Sequence, residues 1–299
     1  MSSLPLEAAA PGTKTSEWVA GARPRTLPVA VVPVVVGSSV AAALHHFTWW
    51  RSLLCLVVSL AIQVGTNYAN DYSDGVRGTD AERVGPVRLV AGGLAHPRAV
   101  RRAAWLSFAV AGGAGLALSI VTTPYLVAVG AACIAAGWLY TGGPRPYGYA
   151  GLGELFVFVF FGLVAVVGTV YVNASAVPAV AVVAAVPVGL LAVALLVVNN
   201  LRDLANDARA GKRTLAVRLG DGPTRLLFEA CVLGPFAGAG AVAYFRPGAL
   251  VALLALVLAI APLRRVHRGA TGGELVGVLS MTGRLGMVFG FLLALGVLV

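Results

Sequence analysis

The chain holds 299 residues, 59% of them hydrophobic and only 11% charged, with 37 glycines and a formal net charge of +10. That composition excludes an ordinary soluble domain and is that of an integral membrane protein. Residues 1–17 are polar, contain Pro and Gly and lack a long apolar core, so they read as a disordered tail rather than a cleavable signal peptide, ahead of one membrane domain at 18–299.

A hydrocarbon core about 30 Å thick requires about 20 apolar residues per helix. Polar breaks divide the chain into nine such segments, near residues 26–45, 51–70, 101–121, 124–140, 152–173, 178–200, 223–244, 248–263 and 274–298. Long apolar runs without polar/apolar alternation mean helices and not a barrel. The expected fold is therefore all-α, a polytopic bundle of nine transmembrane helices. Cys55, Cys133 and Cys231 each lie alone inside an apolar run and the four histidines are dispersed, so neither a disulfide framework nor a zinc site has support.

Lys and Arg fall mainly on one side of this bundle. With the amino terminus inside, the inner segments carry Lys14, Arg23, Arg25, Arg77, Arg83, Arg88, Arg98, Arg101 and Arg102, then Arg145, then the group from Arg202 to Arg225, and finally Arg264, Arg265 and Arg268. The outer side keeps only Arg51 and Arg246. The asymmetry predicts a cytoplasmic amino terminus in the cell membrane. It also accounts for the positive charge without nucleic acid, because the basic segments face anionic headgroups of the bilayer or an anionic substrate.

Acidic residues are scarce, and they concentrate at two helix ends that this topology puts on one face. Asn67 to Asp80 reads NYANDYSDGVRGTD and Asn199 to Thr214 reads NNLRDLANDARAGKRT. One constant offset aligns Asn67 with Asn200, Asn70 with Asp203, Asp74 with Asp207 and Gly78 with Gly211. Residues three and four apart share a helix face, so Asn67, Asn70, Asp71 and Asp74 form one ridge of oxygens and Asn199, Asn200, Asp203 and Asp207 another. Asp80 is placed to fold back from the loop. Two carboxylates about 4 Å apart repel by about 4 kcal/mol at an effective dielectric of 20, so converging carboxylates call for a cation. Oxygen donors without Cys or His suit Mg²⁺. The predicted metal ligands are Asn70, Asp71, Asp74, Asp80, Asp203 and Asp207, with Asp71, Asp74, Asp203 and Asp207 as the catalytic set and Asn67, Asn199 and Asn200 beside the substrate. Each array is followed by basic residues, among them Arg77, Arg83 and Arg88, and Arg209, Lys212 and Arg213, while Arg23 and Arg25 precede the first helix. Arg and Lys grip phosphate, so a diphosphate with a lipid tail fits this boundary, its allylic cation shielded by aromatic faces. Trp138, Tyr140, Tyr147, Tyr149, Phe156, Phe158, Phe160 and Phe161 supply such faces.

NDYSDGVRGTD and NNLRDLANDARAGKRTLAVRLG resemble the two Asp-rich motifs of the UbiA superfamily of intramembrane prenyltransferases. The first motif maps onto Asn70, Asp74 and Asp80, the last acid standing two residues beyond Gly78 as in the branch that makes menaquinone; the second maps onto Asp203 and Asp207. WVAGARPRTLPVAVVPVVVG, GPVRLVAGG and YTGGPRPYGYAGLGELFVFVFFG resemble the same branch, and the likeness runs from Trp18 to about Gly220. The resemblance implies nine helices around a central cavity and Mg²⁺-dependent transfer of a polyprenyl chain from polyprenyl diphosphate to 1,4-dihydroxy-2-naphthoate. CO2 and diphosphate leave and demethylmenaquinone forms. It further implies Arg25, Arg88 and Lys212 as the grip on diphosphate or naphthoate carboxylate, and Tyr140 and Arg145 as the wall of the acceptor pocket. Glu154 stands as either the partner of a loop Arg or a plain helix cap. Chain length, general base and oligomeric state have no signature.

Three other readings stay open at the level of residues. Another aromatic acceptor, such as 4-hydroxybenzoate or a haem or chlorophyll precursor, differs only in the branch stretches. A cation-coupled transporter would place its ionisable groups near the bilayer midplane, where only Arg284 and Glu229 fall. A lipid phosphotransferase would gather its acids in one continuous motif.

Overall fold

The computed structural model describes residues 14–79 and 88–299. All regular structure among them is helical: α1 Thr15–Gly21, α2 Pro28–Ala43, α3 Trp49–Arg77, α4 Pro97–Val121, α5 Tyr125–Leu139, α6 Gly153–Val157, α7 Ala165–Ala174, α8 Ala179–Arg209, α9 Leu215–Leu219, α10 Asp221–Ala243, α11 Leu256–His267 and α12 Glu274–Leu298. A π-helical stretch, Phe158–Val164, joins α6 to α7, and a 3₁₀ stretch, Pro247–Ala255, leads into α11.

Seven of these helical units are long and apolar enough to cross a membrane, and an eighth counts if the pair Thr15–Thr26 and Pro28–Ala43, bent by 53°, is one span. Tyr125–Leu139 is apolar but short. The expected count of nine is thus not established, although every expected segment contains helix. The bend has a local cause. Arg23 takes a left-handed backbone at φ 54°, Pro24 opens a 3₁₀ turn, and Pro28 starts α2 with a ring that needs no amide hydrogen. The segment expected to be a tail to residue 17 is corrected at its end: α1 begins at Thr15, where the Glu17 carboxylate accepts from the Lys14 amide at 2.8 Å.

Length decides where the two acidic arrays lie. At 1.5 Å per residue, α3 with its 29 residues and α8 with its 31 reach about 44 and 46 Å. Both exceed the hydrocarbon thickness by about 15 Å, and both carry their Asn and Asp residues in the last turns, where the overshoot is. The main core surrounds α8, whose Ala and Val residues let α2, α7, α10 and α12 approach closely. A second cluster holds Tyr68, Leu89, Val100 and Phe108 between α3, α4 and the segment before α4. A small third cluster, Val34, Cys55, Leu118 and Val172, closes the far end of the space between the helices.

Candidate active site

That space is a cavity of about 300 Å³ running from the acidic ends of α3 and α8 down to Val34, Cys55, Leu118 and Val172. Its deep part is apolar. Its other end carries Asn67, Asn70, Asp74, Arg88, Asn199, Asn200, Asp203, Asp207 and Lys212.

Asp74 is the hub. Lys212 Nζ lies 3.1 Å from its Oδ1 and 3.9 Å from Asp207 Oδ1, so one ammonium bridges the two helices. The Tyr149 hydroxyl donates to the same Oδ1, and Arg88 Nη2 stands 3.9 Å from Oδ2. Lys212 and Arg77 both pack over the Tyr149 ring, at 4.9 and 5.4 Å from its centre. Burial first, and then the neighbouring Asp74 charge, push the Tyr149 phenol well above its ordinary pKa, so it remains a donor. Arg77 does not reach the cavity but donates to the carbonyls of Thr141 and Gly143, tying the end of α3 to the loop after α5.

The second array is neutralised differently. Arg202 holds Asp203 through two 2.7 Å bonds, Nε to Oδ1 and Nη2 to Oδ2, and donates from Nη2 to Asn199 Oδ1 at 2.8 Å. Asn200 Nδ2 donates to Glu154 Oε1 at 2.9 Å.

Several predicted site residues lie elsewhere or are engaged. Asp71 points away from the cavity, where its two oxygens accept from the amides of Leu89 and Val90 at 3.0 and 2.9 Å. It fixes the segment that carries Arg88. Asn67 donates to Ala22 O at 2.8 Å and to Thr26 Oγ1 at 3.2 Å, holding the bend before α2 while still lining the cavity. Asn70 accepts from Thr141 Oγ1 at 2.7 Å. Arg25 is exposed and outside the cavity, whereas Arg23, at the left-handed residue of the bend, lines it instead. Arg145, between Pro144 and Pro146, is exposed too, whereas Tyr140 lines the cavity. Asp80 and Arg83 lie outside the described residues.

The expected convergence of carboxylates is not found: among the described residues no three His, Cys, Asp or Glu side chains form a group that could hold a metal. The reason is that cations of the chain itself separate them. The donor set nevertheless fits Mg²⁺, which usually takes one or two carboxylates and completes its shell with water and substrate phosphate. Asp74 and Asp207 across Lys212, with Asp203 beside them, supply such oxygens.

Aromatic side chains wall the cavity just below. Tyr147 stacks on Phe156 with centroids 4.0 Å apart, Tyr140 meets Tyr147 edge-on at 5.5 Å, and Phe156 lies 5.9 Å from Phe160. The π stretch widens the turn so that Phe156, Phe160, Phe161, Val164 and Ala165 all face inward. Gly162 on its back packs against Gly189, where an added Cβ would sit 2.7 Å from the Gly189 Cα.

Comparison with known proteins bears on the family and the fold. Residues 30–276 match the UbiA prenyltransferase family. The chain is 52% identical over 283 residues to the 1,4-dihydroxy-2-naphthoate octaprenyltransferase of Mycobacterium tuberculosis, covering 93% of this chain and 96% of that one. It is 38% identical over 228 residues to the protein of that name in Escherichia coli, covering 74% of each. Among solved structures, the fold is similar to a UbiA homolog from Aeropyrum pernix K1 (TM-score 0.69, 15% identity, 90% of this chain and 97% of that one). It is also similar to a UbiA homolog from Archaeoglobus fulgidus bound to GPP and Mg²⁺ (TM-score 0.65, 13% identity, 93% and 99%). The chain belongs to the UbiA prenyltransferase family and is a prenyltransferase with several membrane-spanning helices.

Proposed function

We propose that this UbiA-family enzyme transfers a polyprenyl group from polyprenyl diphosphate to 1,4-dihydroxy-2-naphthoate, with loss of CO2 and diphosphate, giving the reduced, quinol form of demethylmenaquinone. The observation that carries the reading is the bridging of Asp74 and Asp207 by Lys212 at the polar mouth of an apolar, aromatic-walled cavity. A charged head and a lipid tail fit this division of the space. The acceptor follows from the 52% identity to a named naphthoate enzyme.

Arg23, Arg88 and Lys212 would bind the diphosphate, and Asp74, Asp203 and Asp207, with Asn70 and Asn200 nearby and Asp80 on the strength of the sequence motif, would hold Mg²⁺. Bound there, Mg²⁺ neutralises the diphosphate and makes it a better leaving group. Tyr140, Tyr147, Phe156 and Phe160 shield the allylic carbocation from water and attract it through their faces. The deep apolar part of the cavity receives the polyprenyl tail. The distribution of Lys and Arg supports a cytoplasmic site and amino terminus in the cell membrane.

The test pairs the purified protein with polyprenyl diphosphate and either 1,4-dihydroxy-2-naphthoate or 4-hydroxybenzoate. Prenylated naphthoquinol with release of CO2 is expected, stopped by chelation and restored by Mg²⁺. Turnover of 4-hydroxybenzoate alone would overturn the acceptor.

A further inference from the structure

Glu154 is a buried acid without a task in this reaction. It sits in the first turn of α6, 6% exposed, and outside the cavity lining. Its Oε1 accepts from Asn200 Nδ2 at 2.9 Å, and its Oε2 has no hydrogen-bond partner among the described residues. An acid in a first helical turn complements the helix dipole, but that explains neither the burial nor a bond to a different helix. Asn200 is itself 6% exposed, lines the polar end of the cavity, and precedes Asp203 by three residues on the same face of α8.

We infer that Glu154 is a positioning residue that turns the Asn200 amide, so that its carbonyl oxygen and not its NH2 group faces the cation side of the cavity. The argument is one of donors and acceptors. The carboxylate oxygen Oε1 accepts from the nitrogen side of the amide, which leaves the amide oxygen for the cavity. Without that partner the amide can rotate by half a turn, presenting N–H groups where a cation needs a lone pair. Groups that orient a metal's ligands in this way commonly alter affinity by about 10- to 100-fold when lost. Because the inference rests on the proposed function, metal binding and turnover must be read separately.

The experiment uses the full chain in nanodiscs with inorganic diphosphate, reading Mn²⁺ affinity by magnetic resonance and, separately, the Mg²⁺ concentration for half-maximal turnover. Glu154→Ala and Asn200→Ala are each expected to weaken Mn²⁺ binding by about tenfold or more, and the double variant no further than either single one. Glu154→Gln, whose amide can either accept from Asn200 or donate to it, no longer fixes one orientation and should fall between wild type and Glu154→Ala. Multiplying effects in the double variant would overturn the inference. Should Glu154→Ala fail to fold, the isosteric exchange decides. Asn200→Asp alone sets two carboxylates against each other and should lose affinity. Combining Asn200→Asp with Glu154→Gln should regain it, because the new amide on α6 then donates to the new carboxylate on α8 and restores one oriented oxygen. No recovery would refute the positioning role. Wild-type protein that binds no Mn²⁺ with diphosphate would overturn both this inference and the metal reading beneath it, whereas normal wild-type binding with additive variants removes only the role of Glu154.

Discussion

The two acidic arrays share a backbone and divide the labour. After α3, Gly78 takes φ 71° and the Thr79 amide returns to Asp74 O at 3.1 Å; after α8, Gly211 takes φ 74° and the Lys212 amide returns to Asp207 O at 2.8 Å. The closing turns therefore match residue for residue at the offset seen in the sequence. The side chains do not. The first array holds other elements together: Asn67 reaches the bend before α2, Asn70 the Thr141 hydroxyl, and Asp71 the amides beside Arg88. The second is tied mainly to Arg202 of its own helix and to Glu154. Asp74 and Asp207, aligned by the offset, meet across Lys212. A shared motif thus fixes where carboxylates stand, and their neighbours decide what each one does.

The largest effect that tests this division is expected at the meeting point. Asp74→Asn or Asp207→Asn should lower turnover by about 100- to 1,000-fold, the cost of removing one preorganised electrostatic group. Each also leaves the buried Lys212 ammonium with one carboxylate in place of two, so a lower thermal unfolding midpoint is expected as well, but the folded fraction should still show the loss of turnover. Unchanged turnover would place the chemistry elsewhere. Asp71→Asn should act on stability alone. It leaves one of two backbone amides facing an NH2 group and should cost about 1–3 kcal/mol of stability, read as a lower midpoint and faster proteolysis near residues 88–95. Activity of the protein that remains folded should fall far less than in Asp74→Asn. If both variants lose turnover alike without loss of stability, Asp71 belongs to the chemistry and the division fails.

The two asparagine changes also mark what the residues disclosed on their own. Helix positions and both arrays were legible because apolar run length and a three-to-four residue spacing report directly on buried and shared faces. Asp71 was not, since its partners Leu89 and Val90 lie 18 and 19 residues away in the sequence. Arg23 and Arg25 are alike in sequence, and nothing there separates Arg23, which lines the cavity, from Arg25, which does not. Arg202 looked like one of many positive-side residues, because adjacent positions on a helix do not ordinarily face each other. Its long side chain folds back to pair with Asp203. The π stretch leaves no trace in a run of uniformly apolar residues.

A smaller effect is expected at Tyr149, which serves the first array from the loop before α6. Tyr149→Phe removes one donor to Asp74 but leaves Lys212 within 3.1 Å. A hydrogen bond to a charged group contributes about 1.5–3 kcal/mol, and the remaining ammonium offsets part of it. A tenfold fall in kcat/KM for the diphosphate donor is expected, with little change in the unfolding midpoint. No change would mean that Asp74 is held by cations alone.

The smallest effects should come from the glycines, and they separate scaffold from cargo most cleanly. Among the described residues nothing lies within 4 Å of the place where a Cβ would go at Gly78 or Gly211, so Ala at either position meets no clash there. What remains is the cost of a left-handed backbone for a residue with a Cβ, about 1–2 kcal/mol. Because φ is 71° at one and 74° at the other, the two substitutions should lower stability equally, and their effects should add in the double variant. Turnover should not respond equally. The residue after Gly211 is Lys212, which bridges Asp74 and Asp207, whereas the residue after Gly78 is Thr79, whose hydroxyl returns to the Asp74 backbone carbonyl at 3.3 Å. A small adjustment of the turn therefore displaces the bridging ammonium in one case and a local backbone contact in the other. Gly211→Ala should reduce turnover several-fold more than Gly78→Ala at matched loss of stability; equal losses of turnover would mean that Lys212 does not act from the position in which the turn holds it.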